Sequence, residues 1–164
     1  MADEHRANSA FKNRCINAAL TLESCTSYSI ERISLDESNE NRKDNTLDVW
    51  LREGPWKPDT VISLSNLHSV RPWEPGLAPS FIDEIFLIHL PALPSPWPAE
   101  AVGRLDRADD LPELAWLRIT GPLEVDAVAS IVTVYQAQSD DAASTPLTAP
   151  AHSTTQAADN VRRD

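Results

Sequence analysis

The sequence predicts a mainly β domain, a β-sandwich-like or curved antiparallel sheet with one or two short helices. Three observations carry this. Residues 47–51 alternate Leu47, Val49 and Leu51 with Asp48 and Trp50, the period of a half-buried strand. Turn pairs, Gly54-Pro55 and Gly121-Pro122, stop the apolar runs that precede them. The run Ile131-Val132-Thr133-Val134-Tyr135 loses side-chain freedom in a helix and fits a pleated surface.

Taken in order, Tyr28, Ile30, Ile33 and Leu35 predict a first strand whose alternation slips at Glu31-Arg32, as a bulge would cause. The second strand is 47–51. Val61 to Leu64 opens a third, which continues through Leu67 to Val70 before Pro72. Residues 81–90 are the most apolar stretch, with large side chains on both faces from Ile85 onward, and predict a central strand covered on both sides. Pro91, Pro94, Pro96 and Pro98 forbid regular pairing, so 91–98 reads as a stiff connector, with PxxP docking as the alternative. A short helix over 99–107 follows, with Pro98 at its first position, and 114–120 resumes a strand. For the last element the helical alternative is real: Pro122, Glu124 and Asp126 resemble a helix start, and Leu123, Ala127, Ile131 and Val134 keep helical spacing. A helix over 123–135 turns the fold into α+β.

A chain of 164 residues predicts one domain. Residues 1–14 and 136–164 are polar, with too few large apolar groups to offset the entropy of ordering, so both ends are expected to be disordered around a domain at 15–135. Residues 36–45 read as a long polar turn. Hydrophobic residues make up 41% of the chain, which is enough for the middle to fold.

The formal net charge is −11, of which −7 falls on residues 46–135. Such a surface repels nucleic-acid phosphates and anionic membranes and favours a basic partner. There is no apolar leader after Met1 and no run near the ~18 apolar residues of a membrane span. Cytoplasmic location is therefore expected. The two cysteines, Cys15 and Cys25, belong to no metal-binding spacing, and in a reducing compartment they are expected to be small buried hydrophobes.

The residues that carry chemistry are few. The four glycines form no phosphate-binding loop, and there is no nucleophile elbow or cysteine-protease signature, so no cofactor and no catalytic residue is expected. His68 and His89 lie on neighbouring apolar segments near Asp83 and Glu84, but a metal needs three or four converging ligands and the spacing does not supply them. Adjacent Asp83 and Glu84 on a strand point to opposite faces and do not converge as an acid and base pair. Five tryptophans remain: Trp50, Trp56, Trp73, Trp97 and Trp116. Most stand beside prolines, where Trp commonly pins a loop to the core, but Trp is also enriched at binding hot spots. Trp50 between Asp48 and Arg52 has neighbours suited to a sugar-stacking platform. The partner-contact residues expected on these grounds are Asp48, Trp50, Trp56, Trp73, Asp83 and Trp97.

The stretches Thr46-Leu-Asp-Val-Trp-Leu-Arg52, Val61-Ile-Ser-Leu-Ser-Asn-Leu-His-Ser-Val70 and Phe81-Ile-Asp-Glu-Ile-Phe86 resemble successive strands of small bacterial immunity-type proteins of toxin systems. The likeness covers roughly 45–135 and has no specific motif. It implies a cytoplasmic protein that blocks a cognate toxin, often a basic one, by electrostatically steered association. The function expected is thus a non-catalytic acidic protein-binding module, with a small-ligand or carbohydrate-binding β domain as one alternative. An enzyme using His68 or His89 with an acid is another.

Overall fold

A computed structural model of the protein describes residues 2–37, 45–71, 73, 74 and 76–137, the side chains of 2–9 excepted. Helix α1 (Ala2–Glu23) leads through a 3-10 turn (Ser24–Ser27) into strand β1 (Ser29–Asp36). β2 (Thr46–Arg52) and β3 (Thr60–Val70) follow, then the two-residue β4 (Ser80–Phe81) and β5 (Glu84–Leu90). Another 3-10 turn (Ala99–Ala101) precedes β6 (Leu114–Thr120) and β7 (Val125–Gln136). The strands make one antiparallel sheet in the order β4-β1-β2-β3-β7-β6-β5.

That order has β4 at one end and β5 at the other, although only Ile82 and Asp83 separate them in the chain. The sheet must therefore curl until its two ends meet. At the corner Ile82 N–H donates to the Tyr28 carbonyl at 3.1 Å and Asp83 N–H to the Thr120 carbonyl at 2.8 Å, so one bent segment is tied to both ends. A register shift between Ile30 and Arg32 lies where the sequence predicts the bulge. A second irregularity, between Leu67 and Ser69, leaves His68 without an opposite residue on β7. Just before it, Asn66 takes φ 55°, a left-handed conformation that asparagine tolerates, and its amide donates to Ser130 Oγ. Across this point the inward residues pass from Ile62 and Leu64 to Leu67 on β3, and from Val132 and Val134 to Val125, Ala127 and Ala129 on β7. Bulges of this kind increase local twist and help the sheet curl.

The concave face holds the main core. Ile30, Leu47, Val49, Leu51, Ile62, Leu64, Leu117 and Ile119 meet Phe11, Cys15 and Leu22 of α1. Those three helix positions, with Ala18 between them, recur every three or four residues and lie on one face. A smaller core sits on the other side of the sheet, where Leu90, Leu114, Trp116 and Val128 are covered by Ala101, Trp97 and Leu105.

Several expectations are corrected. Residues 1–14 were expected outside the fold, yet α1 begins at Ala2 and buries Phe11. Residues 81–90 are not a central strand: β5 ends the sheet, and its two covered faces come from α1 and Phe11 on one side and the 91–113 connector on the other. The helix expected over 99–107 is a single 3-10 turn. Residues 125–136 are strand, so the helical alternative falls. The expected tail is β strand at Gln136, and its residues 138–164, like 38–44 of the polar turn, lie outside the described residues.

Candidate binding surface

The tryptophans are dispersed, and each position has a local cause. Trp116 is buried in the outer core and donates from Nε1 to Asp126 Oδ1 at 2.9 Å. Trp97 donates to the Pro91 carbonyl at 2.9 Å beneath the Arg107 guanidinium, which pins the proline-rich connector. Trp73 packs on the main core. Trp50 points away from the core, and Arg32, its register partner on β1, lies with its guanidinium carbon 3.7 Å from the ring centroid. The indole face offered to a sugar is thus already occupied by a cation.

Trp56 differs from all of these. It is 94% exposed. It sits in the turn between β2 and β3, where Lys57 N–H reaches back to the Gly54 carbonyl at 3.4 Å, placing Pro55 and Trp56 at the two central positions. Proline at the first of these restricts the backbone, and Pro58 bounds the turn on the other side. Glu53 ties the turn down at both ends. One carboxylate oxygen accepts from Tyr28 Oη at 2.9 Å and the other from Lys57 Nζ. Those two hydrogen bonds hold the Glu53 carboxyl below its ordinary range, while burial, then Glu53, push the Tyr28 phenol up.

Phe81, 73% exposed, lies at the same end of the sheet. It is the register partner of Ser29, which pairs with Arg52 at the end of β2. Arg52 makes a fork to Asp59, at 2.9 and 3.1 Å, and reaches Glu31 at 3.3 Å. Asp83 and Glu84 follow Phe81 and are exposed. Beside the Trp56 turn the carboxylates of Glu31 and Asp59 meet Arg52 and that of Glu53 meets Lys57, and Asp83 and Glu84 lie within three residues of Phe81 in the chain. This end is aromatic and carries excess negative charge.

Of the six residues expected to contact a partner, Trp56 and Asp83 fall at this end. Asp48 and Trp50 lie on the outward face of β2, where Asp48 is in register with Ser34 and Ser63 and its Oδ1 is buried without a hydrogen-bond partner among the described residues. Trp73 and Trp97 serve the two cores. Phe81, Tyr28 and Glu53 are not among the residues expected there from the sequence. Only Phe81 carried a signal, a large aromatic next to a proline-bounded corner.

The histidines do not form a metal centre: among the described residues no three of His, Cys, Asp and Glu gather where a metal can be held. His89 lies 3.3 Å from Glu113, both side chains are largely buried, and the imidazole stands 6.0 Å from the Phe11 ring. His89 also borders, with Cys15, Leu87 and residues of α1, a shallow depression of about 200 Å³. That is below the ~300 Å³ at which small-ligand pockets begin. No helix among the described residues is long and apolar enough to cross a membrane, and both cysteines are buried free thiols.

No protein-family model matches this chain, and neither the curated proteins nor the solved structures contain a match.

Proposed function

We propose that this chain is a non-catalytic, acidic protein-binding module, an inhibitor or immunity-type protein in form, working in the cytoplasm. Its contact surface is the end of the sheet that presents Trp56 and Phe81. The observation that carries this reading is the 94% exposure of Trp56 on a proline-bounded turn. Leaving an indole in water forgoes about 1.5–3 kcal/mol of burial, and residues of this type dominate binding hot spots. The surrounding excess of carboxylates, on a chain of net charge −11, favours a basic protein and disfavours nucleic acid.

The test is affinity capture of the tagged chain from its native host at low and high salt, followed by binding measurements with each purified candidate. A basic protein whose association slows as salt rises, and which the Asp83→Lys variant binds more slowly, supports the reading. If no captured protein binds the folded chain one to one, the reading fails.

A further inference from the structure

We infer that the partner receives Trp56 in a concave apolar pocket of indole size, and that Glu53 is the positioning residue that keeps the indole ready to enter it. The inference deepens the protein-binding reading and rests on it. A single large ring projecting from a tight turn is convex, so the surface complementary to it is concave. Its immediate neighbours are Pro55 and Pro58, which offer no side-chain hydrogen bond, and Lys57, which is spent on Glu53. The indole is therefore the one large apolar group the turn presents. The charges beside the turn are also paired among themselves, Arg52 with Asp59 and Glu31, and Lys57 with Glu53. Paired in this way, the charges on either side of the turn do not require matched charges at the point of insertion.

Glu53 enters through geometry. It is the residue just before the turn, and its two oxygens hold Tyr28, just ahead of β1, and Lys57, at the turn's far end. Loosening either bond frees the turn relative to the sheet, and the partner then bears the cost of ordering it.

The experiment places a photo-crosslinking amino acid at position 56 of the full chain in its native host, with Val102, 71% exposed on the 91–113 connector, as the control position. The crosslinked partner is purified and its affinity for the chain measured. Support requires that the adduct map to an apolar concavity and that Trp56→Ala weaken binding by roughly 30-fold or more, the size of a hot-spot loss. Glu53→Gln, which still accepts from Tyr28 but loses the ion pair, should weaken binding about threefold to tenfold, the scale of ordering one side chain. It should lower the order parameter of the Trp56 indole N–H while leaving the thermal midpoint in place. An adduct on a flat or charged surface, or a Trp56→Ala loss below threefold, overturns the pocket while protein binding stands. Adducts no more frequent at 56 than at 102 overturn both. A Glu53→Gln protein with unchanged affinity and unchanged indole order removes Glu53 from the account.

Discussion

Gly121 meets Phe81 at the point where the sheet closes. A Cβ built on Gly121 would stand 2.5 Å from the Phe81 carbonyl oxygen and 3.5 Å from the Asp83 amide nitrogen. Both are backbone atoms at the bend from β4 into β5, and the Asp83 amide is already bonded to the Thr120 carbonyl. The end of β6 thus approaches the corner so closely that only glycine fits.

Gly121→Ala is therefore expected to destabilise the fold by about 1–3 kcal/mol, the range for forcing an extra carbon into a packed position. Chemical denaturation measures it. Because Phe81 sits at the corner, the variant should also weaken partner binding beyond its loss of stability, and binding that stays at the parent value would separate the corner from the contact surface.

Asp126 gathers three side chains behind the outer core. It accepts from Trp116 Nε1 and from Arg104, each at 2.9 Å, and stands 3.8 Å from Arg71. Its side chain is 14% exposed, so removing it leaves an indole N–H and a guanidinium unpartnered and largely buried. Asp126→Ala should cost about 2–4 kcal/mol. Asp126→Asn keeps an acceptor for Trp116 and should cost less. Equal losses from the two substitutions would assign the effect to charge rather than to the indole bond.

Much of the strand layout was legible because strands with one buried face announce themselves by period: Leu47, Val49 and Leu51 are inward in the structure, and the slip at Glu31 is a true bulge. What the sequence hid was of two kinds. The positions 11, 15, 18 and 22 keep helical spacing, but they lie in a segment polar enough to outweigh four small or isolated apolar residues, so α1 went unread. The placement of β5 was hidden for a different reason. Burial on both faces marks a central strand only when neighbouring strands and layers do the covering, and here a helix and a proline-rich connector cover a terminal one. The exposure of Trp56 was out of reach because an exposed indole and a loop-pinning indole share the same neighbours in sequence.

His68 is the extra residue of the β3 bulge, and its Nε2 is buried without a hydrogen-bond partner among the described residues. Burial lowers the pKa of the imidazole from its ordinary 6.5. The unfolded chain therefore takes up this proton more readily than the folded one, so the contribution to stability is complete above pH 6.5 and is lost as pH falls below it. His68→Gln should flatten the pH dependence of stability just below pH 6.5. Parallel curves for the parent and the variant would show that the imidazole titrates as though exposed.

Cys15 runs the opposite way. Burial on the inward face of α1, and secondarily the negative charge of Glu113, push its thiol up from 9.0 to about 11, with Arg14 opposing. The folded chain holds this proton more tightly than the unfolded one, so the stabilisation is complete below pH 9 and disappears as pH rises toward 11. Cys25, also raised by burial, acts in the same direction, so Cys15→Ala should lessen the alkaline loss without abolishing it. The thiolate is the reactive form, and Cys15 is both protonated and 1% exposed at neutral pH. A disulfide reagent at pH 8 should leave it unmodified in the folded protein and modify it at once in denaturant. Rapid native labelling of Cys15 would mean that α1 lifts from β5 on the time scale of the reaction, and hydrogen exchange along α1 would then show protection well below that of β2 and β3.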